Sequence, residues 1–349
     1  MRKKASLRQS IQLVAVSLAA FVVTTAGVRY WAGSSANRRD DSLAMKLDYF
    51  VAHKDDYTSV FIGNSRIYRG LDPVAFDQAM AEFGEDTVSF NLGVPSMTAA
   101  EIDKAVRQIV ASDPCCLDYV FIDLWSPATI VSVRADRTVA SYDPVTAGLA
   151  LKHVLSTGNP WPEKLYKSAE IIAAAGFNVV NVGSLVHTLP WSSDSTAAGE
   201  TLDRSEGYDY DGYKGFEDES AAEYNRRREV FITSGADGFE EKVTAQKAAY
   251  ENRPDLENYK KDLIFQLAER VDELGDTNLF FIVTPFGESY QSPSLDTVVL
   301  DYNNVSAYPE LYEMSLWFDR GHFNSIGAEK FSREVANSVA SALQPKQTE

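Results

Sequence analysis

Short runs of strand length alternate with amphipathic stretches over the first third of the chain. Residues 59–62, 87–93 and 119–124 form such runs, and apolar positions recur at helical spacing in the two stretches between them. Parallel neighbours in a sheet need a crossover of about a dozen residues or more, and both stretches are long enough. The pattern therefore predicts βαβ units, a parallel sheet and an α/β fold.

Helix-capping residues support this prediction. Asp72 precedes Pro73, which is the order expected at a helix N-terminus, and Gly84 is suited to end the same helix. Thr98 and Glu101 have the spacing of a capping box and predict the start of the next helix. Both connections between the first three strands are therefore expected to be helical.

The same kind of pattern returns near the C-terminus. It predicts a helix at about 256–274, a buried strand at 278–283 and a last helix at about 326–343. Residues 126–252 lack this regularity, so we expect an insertion after the third strand of a sheet of about five strands. Within the insertion, residues 207–220 favour a solvated loop over an aromatic carbohydrate platform.

The N-terminus has the features of a membrane anchor. Basic residues in the first eight positions precede an apolar run at about 11–28, which is just long enough to span the hydrocarbon core of a bilayer. The leading positive charges favour a cytoplasmic N-terminus. The run is long for a cleaved signal peptide, the alternative interpretation, and favours an uncleaved transmembrane helix. We expect a single-pass protein of the inner (cytoplasmic) membrane, whose C-terminal domain is periplasmic or otherwise extracytoplasmic.

These patterns divide the chain into three parts. A cytoplasmic tip and the transmembrane signal anchor take residues 1–32, and a linker with a first helix takes residues 33–56. The α/β domain takes residues 57–345 and contains the insertion at about 126–252.

Charge and cysteine usage narrow the function classes. Charged residues make up 24% of the chain and its net charge is −17, which repels nucleic acid. No His, Cys and Asp residues cluster at the spacing of a metal site, and we expect neither a metal nor an organic cofactor.

Cys115 and Cys116 are adjacent, which disfavours a disulfide, so we expect them to pack beside the next strand. The basic run at residues 226–228 is interpreted as a solvated face.

Two polar turns carry the candidate chemistry. Ser65 follows the first strand, where a parallel sheet binds ligands and the next helix presents free N–H groups. That position suits a nucleophile whose reaction produces an oxyanion. Asp319 and His322 are three residues apart, which lets the carboxylate hold the imidazole Nδ1–H while Nε2 acts as a general base. The alternatives are a plain polar turn at the first position and an ordinary helix cap at the second.

The combination of these turns resembles the SGNH/GDSL hydrolase superfamily. Its elements here are the Gly-Asn-Ser block at 63–65, the Asn-Leu-Gly block at 91–93 and the Asp-x-x-His pair at 319–322. The resemblance covers about residues 57–125 and 255–343. It implies a three-layer α/β/α sandwich around a central parallel sheet, with a flavodoxin-like arrangement of strands.

The resemblance also implies roles for individual residues. Ser65 is the expected nucleophile, His322 the base and Asp319 the acid that orients the base. The expected oxyanion donors are the N–H groups of Ser65 and Gly93. Further candidates for contact with the oxyanion or the substrate are Asn64, Asn91 and Arg66.

One block departs from the superfamily pattern. A Gly-x-Asn-Asp block, whose Asn donates to the oxyanion, usually follows the third strand, but residues 122–127 contain no Asn. The loss of one such donor costs about two to three orders of magnitude in rate. Asn64, Ser126 and the insertion are the candidates to supply a replacement. Asp123 lies in this block and would repel an oxyanion unless its carboxylate points away or is protonated.

The anchor and the Gly-Asn-Ser-Arg block are together similar to a subgroup of SGNH-like proteins. These modify surface polysaccharides beside a membrane-bound O-acyltransferase, as in alginate O-acetylation and lipoteichoic acid D-alanylation. The similarity implies a serine esterase or O-acyltransferase that acts on acyl esters of an extracytoplasmic polysaccharide, acetyl being the expected group, through an acyl-Ser65 intermediate. The alternative is a catalytically weak or inactive glycan-binding scaffold subunit of a polysaccharide modification complex.

Overall fold

The computed structural model describes residues 42–124, 142–180, 211–215, 222–256, 258–287, 290–291 and 297–343. Residues 42–45 and 142–180 belong to one compact unit, and all the other described residues belong to a second. The predicted membrane segment, Ser126 and most of the 207–220 stretch lie outside the described residues. Among the helices that are described, none is long and apolar enough to cross a membrane.

Five parallel strands form the sheet of the second unit, in the order β2-β1-β3-β4-β5. The strands are β1 (Ser59–Ile62), β2 (Ser89–Asn91), β3 (Tyr119–Asp123), β4 (Asn278–Val283) and β5 (Val298–Asp301). Helices flank this sheet, which confirms the predicted α/β class and the parallel central sheet. Open sheets of this kind bind ligands outside the carboxyl ends of their strands, where a strand order reverses direction.

The helices follow the predicted alternation with the strands. In the described residues they are α1 (Ser42–Ala52), α2 (Ser65–Gly70), α3 (Pro73–Glu82), α4 (Ala99–Ser112), α5 (Pro144–Ser156), α6 (Trp161–Val180), α7 (Ala222–Ser234), α8 (Ala236–Glu251), α9 (Asn258–Asp272) and α10 (Ser325–Leu343). In the first unit, α5 and α6 pack against each other. In the second unit, α10 packs against α2 and α3, and α9 packs against α4.

Both predicted helix caps are confirmed. Asp72 Oδ1 accepts the N–H of Val74 at 3.0 Å, at the start of α3. Glu101 Oε2 accepts the N–H of Thr98 at 2.8 Å, and Thr98 Oγ1 accepts the N–H of Glu101 at 3.3 Å. These bonds satisfy N–H groups that have no partner within the helix, so the helix starts are set by local chemistry.

Aromatic residues in register across three strands form the centre of the core. Phe61, Phe121 and Phe280 lie side by side on β1, β3 and β4, with Phe76 of α3 packed over the first two. The ring centroids of Phe61 and Phe121 are 4.8 Å apart, and those of Phe121 and Phe280 are 5.3 Å apart. Because successive strand residues point to opposite faces, Val60 lies on the other face, and it is fully buried as well. The sheet is therefore covered on both sides, as parallel sheets require.

β5 was not identified in the sequence. It has four residues at the edge of the sheet, and Leu300 is the one that is buried. It ends in Asp301, whose carboxylate accepts the N–H of Asn303 at 3.0 Å. A short edge strand buries too little surface to give the continuous apolar run that marked β1, β3 and β4.

The expectation for the two cysteines was wrong. Cys115 and Cys116 form a disulfide with each other, and both are exposed in the turn between α4 and β3. Leu117, which is 6% exposed, takes the buried position before β3 instead. Residue spacing alone does not show where a turn directs its side chains, and for this reason the prediction for the two cysteines was wrong.

Gly63 provides a test of the junction between β1 and α2. A Cβ at this position would lie 2.4 Å from Cγ1 of Ile67 and 2.5 Å from Cβ of Asp123, far inside contact distance. We expect Gly63→Ala to lower the free energy of unfolding by at least about 2 kcal/mol, measured by urea unfolding, because the packed core resists added volume. Gly70→Ala is the control, since its Cβ would lie at 3.4 Å from Phe323. Equal stability of the two variants would contradict this account of the junction.

Candidate active site

Ser65 is the first residue of α2, directly beyond the carboxyl end of β1. Asn64 is the N-cap of this helix, and its Oδ1 accepts the N–H of Arg66 at 2.8 Å. The N–H of Ser65 has no acceptor among the described residues. The strand and the capped turn together hold the hydroxyl at the edge of the sheet where ligands bind.

Ser65, His322 and Asp319 form a continuous hydrogen-bonded chain. Ser65 Oγ lies 2.9 Å from His322 Nε2, and His322 Nδ1 lies 2.9 Å from Asp319 Oδ1. The His322 side chain is 20% exposed, so the imidazole is partly accessible to solvent, while the Asp319 side chain is largely covered. This is the geometry of a serine nucleophile with its base and the acid that orients the base.

Asp319 is held as a carboxylate by several partners. Its Oδ1 also accepts the backbone N–H groups of Gly321 at 2.7 Å and His322 at 2.9 Å, and its Oδ2 pairs with Arg227. Burial alone would raise the pKa of Asp319, but hydrogen bonding and attraction from His322, the Gly321 N–H and the Arg227 charge lower it to about 2. The group that faces the imidazole is therefore an anion at neutral pH, as orientation of a general base requires.

The turn that carries Asp319 and His322 is fixed at both ends. Phe318 N–H donates to His322 O at 2.9 Å, and Trp317 pairs with Phe323 in an antiparallel bridge. Asn324 then joins the turn to α10. Its Oδ1 accepts the N–H of Gly327 at 2.9 Å, and its Nδ2 donates to the backbone oxygen of Ser315 at 2.6 Å. The side chains of the pair are thus set by a locked backbone.

Part of the basic run on α7 contacts this turn, so its interpretation as a solvated face holds for Arg226 and was wrong for Arg227 and Arg228. Arg227 pairs with Asp319, and Arg228 donates to the backbone oxygens of Trp317 and Phe318. Only tertiary structure brings α7 to the turn, and the one signal in the sequence was three consecutive arginines.

The remaining candidate residues have other partners in this structure. Asn64 Nδ2 donates to Asp123 Oδ2 at 2.6 Å, which engages both groups. The N–H of Gly93 donates to Asn91 Oδ1 at 2.9 Å, although the resemblance assigns it to an oxyanion. Asn91 Nδ2 donates to the backbone oxygens of Ile67 on α2 and of Leu71, which follows α2. Arg66 is directed toward the loop after β4, where its Nη1 lies beside Gly287. The structure therefore brings Ser65, His322 and Asp319 together, while Asn64, Asn91 and Gly93 N–H bond to other groups of the protein.

No arrangement of three or more His, Cys, Asp or Glu side chains in the described residues is suited to hold a metal ion.

No family model matches the chain, and neither a curated protein nor a solved structure matches it. The geometry of the site is therefore the observation from which a function is argued.

The lowered pKa of Asp319 predicts a pH-dependent contribution to stability. The carboxylate stabilises the fold above its ordinary pKa of 3.8, and this contribution is lost as the pH falls toward about 2. We expect Asp319→Asn to lower the free energy of unfolding by about 2 kcal/mol at pH 7 and by clearly less at pH 3, measured by urea unfolding. The exposed Asp276→Asn is the control. A loss that is the same at both pH values would contradict the prediction.

Proposed function

We propose that this chain is an SGNH-like serine esterase or O-acyltransferase, built as a three-layer α/β/α sandwich with flavodoxin-like strand order. The observation that carries the proposal is the Ser65–His322–Asp319 chain at the carboxyl edge of the sheet. The strand order, and the packing of α10 with α3 and of α9 with α4, support the three-layer arrangement.

The positions of the three side chains support the following reaction. Ser65 Oγ attacks the ester carbonyl carbon while His322 Nε2 takes the hydroxyl proton. The tetrahedral intermediate then expels the alcohol, which receives that proton, and an acyl-Ser65 ester remains. Water or a sugar hydroxyl next gives its proton to His322 and attacks the acyl-enzyme. The second tetrahedral intermediate breaks its bond to Ser65 Oγ, which takes the proton back from His322 as the acid or the new ester leaves. Asp319 stabilises the imidazolium that forms in each half of the cycle.

Stabilisation of the oxyanion is the weakest part of this machinery. The N–H of Ser65 is available to the developing charge, but Gly93 N–H and the Asn64 amide have other acceptors. The Asp123 carboxylate accepts a hydrogen bond from the Asn64 amide, so repulsion of the oxyanion by this residue is reduced. Because each oxyanion donor contributes about two to three orders of magnitude in rate, we propose a slow enzyme.

The substrate class rests on the sequence of the N-terminus. An anchor at about 11–28 would keep the site close to a membrane surface, outside the cytoplasm. We propose acyl esters of an extracytoplasmic polysaccharide as substrates, with acetyl as the acyl group, and a membrane-bound O-acyltransferase as a partner. Whether the acyl group passes to water or to a sugar hydroxyl depends on which acceptor the site admits.

A second candidate function is a glycan-binding scaffold with little or no activity. It is favoured by one specific observation: the N–H of Gly93 and the amide of Asn64 both donate within the protein. In that case the hydrogen-bonded triad would be retained for structure, while the polysaccharide would be bound and not altered.

Ester hydrolysis separates the two candidates. We expect the full-length protein to hydrolyse p-nitrophenyl acetate with a burst of one p-nitrophenol per chain, because acyl-Ser65 forms faster than it breaks down. Ser65→Ala should lower kcat by about three orders of magnitude or more, because the nucleophile is lost. Ser341→Ala, on the exposed end of α10, is the control. Hydrolysis that survives Ser65→Ala, or none from the folded protein, would favour the scaffold.

A further inference from the structure

Helices α7 and α8 place positively charged side chains against the turn that contains Asp319 and His322. Arg227 pairs with the Asp319 carboxylate, and Arg228 donates to backbone oxygens just before it. Lys242 of α8 donates to the backbone oxygen of Arg320, between the two members of the Asp-His pair. Two of these contacts hold the backbone of the turn, whereas Arg227 acts on the side chain that orients His322.

The two oxygens of the Asp319 carboxylate have different hydrogen-bond partners. Oδ1 accepts two backbone N–H groups and lies 2.9 Å from His322 Nδ1, and Oδ2 lies 3.2 Å from the same nitrogen. The second oxygen is therefore close enough to compete for the imidazole. Arg227 occupies Oδ2, and this leaves Oδ1 as the preferred acceptor for the ring.

We propose that Arg227 is a positioning residue that fixes the Asp319 carboxylate, so that the His322 proton stays on Nδ1 and Nε2 faces the Ser65 hydroxyl. The inference rests on the proposed serine chemistry. It assigns a purpose to α7, which the sequence places in the insertion: the helix completes a site whose other parts come from the start of α2 and the turn before α10.

A purely stabilising role does not account for this ion pair. The Arg227 side chain is 42% exposed, and ion pairs with an exposed partner contribute little to folding. Orientation of a base is sensitive to small displacements, because proton transfer needs the correct tautomer and a short Nε2–Oγ distance. The expected effect of removing Arg227 is therefore on the imidazole and on kcat, with little change in stability.

The charged groups around the pair allow a matched control. Besides Arg227, the groups that face Asp319 are His322 on its own turn and Lys242 from α8, with Arg320 and Arg66 nearby. Arg226 lies on the same helix, is exposed, and makes none of these contacts. Arg226→Gln therefore removes the same charge from α7 without touching the carboxylate.

The first experiment is histidine-selective 15N NMR on the full-length protein, in which His322→Gln assigns one of the four histidines. We expect wild type to show the His322 ring as a single Nδ1–H tautomer with a downfield proton signal. Arg227→Gln should broaden or shift that signal, and Arg227→Lys should restore it in part. Arg226→Gln should leave it unchanged. A signal identical in wild type and Arg227→Gln would overturn the proposal, and this readout does not depend on catalysis.

The second experiment is kinetic and uses p-nitrophenyl acetate. We expect Arg227→Gln to lower kcat roughly tenfold with KM unchanged, and added guanidinium to recover part of the loss. Sodium chloride at equal ionic strength should recover none. A kcat within twofold of wild type would overturn the inference while leaving the esterase proposal intact. If wild type itself has no activity, the esterase proposal fails, and the NMR result alone decides the role of Arg227.

Discussion

The hydrogen bond between Ser65 Oγ and His322 Nε2 joins two turns that are 257 residues apart in the chain. It exists because β1 ends at the same edge of the sheet that the turn before α10 reaches. The packing of α10 against α2 and α3 brings that turn to this edge, and the row of phenylalanines beneath holds the strands in register. Everything proposed about the chemistry of this protein depends on that one contact and on the packing that maintains it.

Around this contact, the polar residues near the carboxyl edge mostly hold one another. Asn91 fastens α2 to β2, Asn64 caps α2 and reaches Asp123, and Gly93 N–H is engaged by Asn91. Such a network satisfies buried polar groups. It also makes the structure around Ser65 rigid. In the proposed reaction, the same network would withdraw hydrogen-bond donors from the oxyanion. Rigid placement of Ser65 and weak stabilisation of the oxyanion would then have one structural cause.

Features fixed by local chemistry could be predicted from the sequence. The bounds of β1 and β4 follow from short buried apolar runs, and the caps at Asp72 and Thr98 follow from side chains that bond to nearby N–H groups. The His322–Asp319 contact is also local, since three residues separate the partners. The features that were missed depend on tertiary packing or on the path of a turn. They are the docking of Arg227, the edge strand β5, the acceptor of Gly93 N–H and the pairing of the two cysteines.

Reaction of the full-length protein with a fluorophosphonate, followed by intact mass and peptide mapping, tests the central claim most directly. The account predicts one phosphonyl group per chain, bound to Ser65, and no adduct in Ser65→Ala or His322→Gln. This reagent needs an activated serine and a base but no particular polysaccharide, so the test is independent of the natural substrate. A protein that unfolds cooperatively and yet takes up no label at Ser65 would contradict the claim that these three side chains form a working catalytic site.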